Sequence, residues 1–460
     1  MSDIFASLPP EFAARMRRLL GEEFSDFYAA PARRGLRVNT AVADEKTVAA
    51  RLPFALSPAP FAENGFFVAG DEKVGSHPLH HAGAVYMQEP SAQSAVTALA
   101  VKPGEKVLDT CAAPGGKSTA IAEVLGDTGL LWCNEFVRPR AKILCQNLER
   151  MGAKRRVVTS VDVAELGKAL PAFFDAVLCD VPCSGEGMFR KEPEAIPEWS
   201  LENVKTCADR GAHILDAAAK TVKPGGRLLL STCTFAPEED ECQAAAFLRR
   251  HPEFSLVPLA LPFGRPGFSW ERVASFADDP APCPADLTGC RRIFPADSGE
   301  GHFLALFRKN ADGETDKTPP KPLSVKPQKE VAAALSEWLR AVPDGDFVQY
   351  GDVWHLLPPA MPQTGKLPIL QAGIPVAVAK KGRFEPTHTL FAAYGDRAKQ
   401  TLDLPADSDA VAAFLKGASL SVDAAYKGYV AVLCDGVPLG FGKATAGTLK
   451  NHYPKGLRNV

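Results

Sequence analysis

Eight residues constrain this chain more than any others: Cys111-Ala-Ala-Pro-Gly-Gly-Lys-Ser118. They follow a short apolar run, Lys106-Val-Leu-Asp-Thr110, and precede a helix-like stretch, Thr119-Ala-Ile-Ala-Glu-Val-Leu125. Strand, glycine turn and helix in that order bring main chain close to a nucleotide-like ligand. A phosphate loop needs Gly-x-x-x-x-Gly-Lys-Ser/Thr, and here Cys111 stands where the first glycine belongs. The dinucleotide pattern Gly-x-Gly-x-x-Gly is missing as well. What remains is the pair Gly115-Gly116 behind a stiffening Pro114. An acid, Glu135, closes the next apolar run, Leu130-Leu-Trp-Cys-Asn-Glu135. An acid at the end of the second strand commonly takes ribose hydroxyls, so Glu135 is expected to bind ribose.

Around this turn, buried-looking strands alternate with amphipathic helices. Strands are predicted over 107–111, 130–134, 156–160, 176–180 and 227–232, with a late one over 301–308. Each run before a turn is apolar without alternation, as in a parallel sheet covered on both faces. The fold class is therefore α/β and doubly wound. In such a sheet the first and fourth strands are neighbours and the fifth lies beyond the fourth. Ahead of it, Pro10-Glu-Phe-Ala-Ala-Arg-Met-Arg-Arg-Leu-Leu20 reads as a helix, Arg33-Arg-Gly-Leu-Arg-Val-Asn-Thr40 as a basic strand, and about 92–100 as another helix. Behind it, 251–289 is irregular and rich in Pro and Phe. The stretch 310–330 reads as a charged, Pro-rich linker. Beyond, 331–341 is a helix candidate, 347–357 and 374–379 are strand candidates, and 424–442 reads as a hairpin around Asp435-Gly436. The expected domains are 1–92, 93–309, the linker 310–330, 331–400 and 401–460.

Two cysteine motifs end strands of this sheet. One is Phe174-Asp-Ala-Val-Leu-Cys-Asp-Val-Pro-Cys-Ser-Gly-Glu-Gly187, and the other is Leu228-Leu-Leu-Ser-Thr-Cys-Thr234. Asp180, Cys183, Cys233 and the glycine turn should converge at one carboxyl edge, where ligands of such sheets bind. Two thiols beside a cofactor turn suit covalent catalysis on a pyrimidine. A thiolate adding to C6 of cytosine makes C5 nucleophilic towards an electrophilic methyl group, and a second thiol can assist release. The attacking sulfur must be thiolate, which a nearby cation or backbone dipole favours. Asp180 would sit near the base and the methyl donor. The residues alone leave open which thiol attacks.

CAAPGGKS, DVPCSGEG and STCT, in this order and spacing, resemble the Nol/Nop/Sun family of RNA 5-methylcytosine methyltransferases. Arg37-Val-Asn-Thr40, Tyr86-Met-Gln-Glu-Pro-Ser91 and Gly299-Glu-Gly-His-Phe303 also look like family segments. The resemblance implies a seven-stranded Rossmann-like class I methyltransferase domain behind a small N-terminal α+β extension. It implies S-adenosylmethionine held by Cys111, Ala112, Ala113, Pro114, Gly115, Gly116, Lys117, Glu135, Asp162 and Asp180. It makes Cys233 the nucleophile and Cys183 the thiol that aids product release, with Asp180 as the third catalytic residue. Gly428-Tyr-Val-Ala-Val432, Gly436-Val-Pro-Leu-Gly440 and the stretch from Lys450 to Arg458 resemble a PUA-like tail, behind a small α+β domain. That tail occurs in bacterial family members acting on 16S rRNA, so the implied partner is 16S rRNA within the small ribosomal subunit. A tRNA substrate, or an assembly factor whose methylation is dispensable, is the alternative.

A formal net charge of −2 excludes a globally basic nucleic-acid binder, so RNA contacts must be local. Arg138, Arg140, Lys142, Arg150, Lys154, Arg155 and Arg156 form one basic cluster, interrupted by Glu149. The other is the acid-free end carrying Lys443, Lys450, Lys455 and Arg458, where Tyr453 and His452 suit base stacking. No apolar run reaches membrane length, and the first residues lack a secretory pattern. Eleven cysteines without a disulfide framework point to a reducing compartment, and a cytoplasmic protein without metal is expected.

Overall fold

The computed structural model describes residues 4–28, 32–70, 73–312 and 318–458. Part of the predicted linker (313–317), the first three residues and the last two lie outside the described residues.

The centre is a ten-stranded sheet. Its parallel strands are β1 (Lys106–Asp109), β2 (Leu130–Asn134), β3 (Arg156–Thr159), β4 (Phe174–Asp180) and β5 (Val222–Thr232). They are followed by β6 (Phe254–Val257) and an antiparallel β7 (His302–Lys309). β1 pairs with β2 and β4, β2 with β3, and β4 with β5. β7 lies between β5 and β6, antiparallel to both. The seven strands therefore run 3-2-1-4-5-7-6. Val107, Leu131, Val158, Val177, Leu229 and Leu304 are all fully buried or nearly so, as the unbroken apolar runs require.

The sheet is longer than the sequence suggests. Arg265–Pro266 and Arg291–Ile293, inside and just past the predicted irregular stretch, extend it beyond β7. At the other edge β8 (Ile369–Ala372) pairs antiparallel with β3, through a register shift. Gln371 fastens it, donating to Glu149 at 2.9 Å. The edge of the catalytic sheet is thus covered by the C-terminal half of the chain, which removes an open edge. The single strand predicted over 347–357 is a hairpin of Phe347–Tyr350 and Val353–Leu356, because Gly351 turns the chain at φ +62°.

The terminal regions pack on each other as well as on the centre. Leu36, Val38 and Val85 of the N-terminal sheet share a core with Val430 and Val432 of the last sheet and with Phe414 and Tyr453 beside it. The N-terminal helix Pro10–Leu20 brings Phe12 and Met16 into another cluster with Phe189, Trp199, Phe235 and Phe294. Phe12 meets Phe189 and Trp199 edge-on at 5.2 and 5.6 Å. Phe189 and Phe235 belong to the two cysteine loops, so this aromatic core anchors both from beneath.

Candidate active site

Register places the chemistry. Asp180 of β4 stands opposite Ser231 of β5. Val181 N–H then donates to the Ser231 carbonyl at 3.1 Å, and both chains leave the sheet side by side. Cys183 and Cys233 follow directly, and their sulfurs lie 3.4 Å apart. Cys233 N–H points at the Cys183 sulfur at 3.3 Å. Gly187 N–H donates to the Cys233 carbonyl at 2.9 Å, which laces the loops together. A side chain at Gly187 would meet that carbonyl and Gly301 Cα, both at 2.9 Å, so only glycine permits this approach.

Beside the sulfurs, Lys117 Nζ donates to Asp180 Oδ2 at 2.7 Å. Burial alone would lower the Lys117 pKa, but Asp180 and then Cys233 outweigh it, and the ammonium is held above its ordinary value. Ser231 Oγ donates to Asp180 Oδ1 at 2.9 Å and lies 2.8 Å from His302 Nε2. Burial lowers the His302 pKa to about 4, so its ring is neutral at neutral pH. With the Ser231 hydrogen spent on Asp180, His302 must donate from Nε2. Cys183 is pushed well above the usual thiol range, first by its contact with Cys233 and then by burial. Burial does the same to Cys111 and lifts Cys179 to about 12.

The glycine turn begins α1 (Gly116–Leu125), with Gly115 at φ +120° as its cap. A cavity of about 290 Å³ opens in front of it. Cys111, Ala112, Ala113, Pro114, Gly116, Lys117 and Asp180 line it, with Asp109 and Tyr86–Glu89 opposite. A Cβ on Gly116 would come within 3.3 Å of Gln88 and 3.4 Å of Tyr86, narrowing this cradle. Asp109 Oδ1 and Gln88 Oε1 are buried there without a hydrogen-bond partner, which suits a ligand carrying N–H donors. Burial raises the Asp109 pKa to about 7, against the hydrogen bond it accepts from Ser118 at 2.6 Å.

Not every expected site residue reaches the cavity. Gly115 is not among the residues that line it, and Glu135 and Asp162 stand past the ends of β2 and β3 outside its lining. Glu135 is buried; it accepts from Val137 N–H at 3.0 Å and faces Arg140 at 3.5 Å. Asp162 caps the helix Val163–Ala169, accepting from Ala164 N–H at 2.8 Å, and faces His213. Sequence reasoning missed Asp109, Gln88, Ser231 and His302; the last three lie in or beside quoted motifs, and motif membership was the available signal.

The basic surfaces are smaller than expected. Arg156 is buried against the Ala153 carbonyl and Glu149, Lys154 pairs with Asp127, and Arg150 donates to the carbonyls of His80 and Val85. Arg138, Arg140 and Lys142 remain exposed. Tyr453 is 3% exposed, packed beside Phe414 and 3.3 Å from His81, so it cannot stack on a base. His452 is exposed. Among the described residues no cluster of His, Cys, Asp and Glu could hold a metal ion, and no helix is long and apolar enough to cross a membrane.

A 3-2-1-4-5-7-6 sheet, with a glycine turn after its first strand and its ligand cavity at the carboxyl edge, defines a Rossmann-like methyltransferase domain. Residues 96–308 match the family of 16S rRNA methyltransferases RsmB/F. Residues 8–90 match the N-terminal domain of 16S rRNA methyltransferase RsmF, and 401–459 the RsmF PUA domain. The ribosomal RNA small subunit methyltransferase F of Klebsiella pneumoniae is 34% identical, over 99% of this chain and 98% of that protein. Its Vibrio vulnificus counterpart is 32% identical, over 98% and 97%. A crystal structure of a methyltransferase homologue from Pyrococcus horikoshii is 27% identical with a TM-score of 0.57, covering 67% of this chain and 99% of that one. The chain belongs to the 16S rRNA methyltransferase RsmB/F family.

Proposed function

We propose that this protein methylates C5 of a cytosine in 16S rRNA, using S-adenosylmethionine, with Cys233 as nucleophile and Cys183 as the thiol of release. The observation that carries the reading is the pair of sulfurs 3.4 Å apart, next to the Lys117–Asp180 ion pair. S-adenosylmethionine, bound in front of the glycine turn, supplies the electrophilic methyl group. Residues 111–117 would hold it with Asp162 and Asp180, and Glu135 would take its ribose, after Glu135 and Asp162 exchange their present partners. The base must leave its stack, or already be unpaired, to expose C5 and C6. The Cys233 sulfur adds to C6, which makes C5 nucleophilic. Lys117 and Asp180 orient the pyrimidine edge, and His302 and Ser231 hold Asp180 in place. After methylation C5 gives its proton to solvent water, the C5–H electron pair forms the C5–C6 double bond, and the Cys233 sulfur leaves with the C6–S pair and takes up the proton that the Cys183 thiol offers. Cys183, kept as a thiol by its surroundings, stands beside the departing sulfur.

The deciding experiment incubates the protein and S-adenosylmethionine separately with unmodified small subunits, free 16S rRNA and tRNA. Nucleoside mass spectrometry with site mapping follows. 5-Methylcytosine in 16S rRNA, absent with Cys233→Ala, is the expected result. Methylation confined to tRNA would overturn the substrate, and no methylation would overturn the reaction.

A further inference from the structure

Glu239 lies six residues past Cys233, in the acidic run Glu238-Glu-Asp-Glu241. In the fold it is only 2% exposed. Its Oε2 accepts from Ser184 N–H at 2.9 Å, and its Oε1 is 2.5 Å from Ser184 Oγ. Ser184 Oγ in turn is 2.7 Å from Thr234 Oγ1. Ser184 directly follows Cys183, and Thr234 directly follows Cys233. One carboxyl group therefore reaches the backbone behind one cysteine directly and the residue behind the other through a hydroxyl.

We propose that Glu239 is the positioning residue that holds Cys183 against Cys233, by clamping Ser184 and, through it, Thr234. The inference rests on the cysteine chemistry proposed above. Burial, and then the neighbouring Cys183, push the Glu239 carboxyl up to about 10, so it is neutral in the working range. A neutral carboxyl can accept from Ser184 N–H while donating its own proton to Ser184 Oγ, which leaves the serine hydrogen for Thr234. A second buried acid, Glu186, stands beside it: it accepts from Trp199 Nε1 at 2.8 Å and Phe235 N–H at 3.1 Å and also meets the Thr234 hydroxyl, whereas the hydrogen bonds to Ser184 are Glu239's. The clamp on the residue behind Cys183 is thus Glu239's. Without it, Ser184 loses two partners and the Cys183 sulfur is free to swing away. Addition by Cys233 would continue, and release would slow.

The test compares the full-length wild type with Cys183→Ala, Glu239→Ala, Glu239→Gln and Ser184→Ala. Each is incubated with unmodified 16S rRNA and S-adenosylmethionine, and denaturation-resistant protein–RNA adduct is quantified beside first-turnover methyl transfer. Glu239→Ala should accumulate adduct several-fold over wild type while first-turnover transfer stays within a few-fold. Glu239→Gln, which can accept from the Ser184 amide and donate to its hydroxyl, should restore turnover with the wild-type pH profile. Ser184→Ala, which removes only a hydroxyl, should trap adduct to a smaller extent and decides the matter if Glu239→Ala does not fold. No adduct with Cys183→Ala would overturn the cysteine chemistry itself. Adduct with Cys183→Ala but with neither Glu239→Ala nor Ser184→Ala would overturn this inference alone. Glu239→Gln behaving like Glu239→Ala would overturn the neutral clamp.

Discussion

The two cysteine loops lie side by side, yet their electrostatic settings are opposite. On the Cys233 side stands the Lys117–Asp180 ion pair, whose ammonium is held protonated against burial by Asp180 and by Cys233. On the Cys183 side the nearby group is a carboxyl, Glu239, pushed up by burial and by Cys183. An anion formed on the first side meets a cation, and an anion formed on the second meets an acid. Two residues of one type, 3.4 Å apart, thus stand in different surroundings, which suits the different tasks proposed for them. The lesson is that position in the sheet brings the thiols together while buried groups from elsewhere in the chain give each a different setting.

Substitutions can break that contrast at several depths. The largest effect is expected from Cys233→Ala, which should remove methyl transfer to RNA by a factor of about 1,000 or more, as loss of a covalent nucleophile does. Residual transfer carried by Cys183 would reverse the two roles. Cys183→Ala should cut multiple turnover by about 100-fold, the lower range for loss of a proton-transfer group. It should also leave RNA covalently on Cys233, seen as a shifted band on a denaturing gel. If that variant turns over normally, the second thiol has no part in release.

Lys117→Met keeps the side chain's length and removes its charge. A hydrogen bond to a charged group contributes about 1.5–3 kcal/mol, so kcat should fall roughly 10- to 100-fold. A wild-type rate in a folded Lys117→Met protein would show that the cation does not distinguish the loops. Asp109, which lines the cavity, gives an effect of another kind, read in stability and not in turnover. Its folded pKa of about 7 lies above the unfolded value near 3.8, so the folded state binds more protons between those values. Stability therefore falls as pH rises from about 4 to about 7, by at most about 1.4 kcal/mol per pH unit. Asp109→Asn should flatten that part of the thermal-melting profile, and an unchanged slope would remove Asp109 as its source.

The sites at strand ends were legible before the fold was known. Asp180, Cys183 and Cys233 each close an apolar run, and parallel register brings such ends together. The glycine turn was legible for the same reason. The acids behind the cysteines were not. Glu239, Asp240 and Glu241 form a charge run by sequence, yet all three are buried: Arg292, 51 residues past Glu241, enters from a distant strand to meet Asp240 and Glu241, and Ser184 of the other loop meets Glu239. The basic cluster misled in the opposite direction. Arg150, Lys154 and Arg156 look like a surface for phosphate, but neighbouring segments supply carbonyls and carboxylates that occupy them. Tyr453 looked available for stacking, and the N-terminal extension covers it.

By itself the sequence determined the kind of sheet, the place of the glycine turn and which strand ends carry sulfur. These depend on local pattern: apolar runs, turn residues and spacing along the chain. Only the tertiary structure decided that β8 closes the edge of the catalytic sheet and that the two terminal sheets share one core. It alone decided which charged groups are buried, and therefore which thiol faces a cation and which a neutral acid. Burial and electrostatic partnership arise between residues far apart in the chain, and no local pattern encodes them.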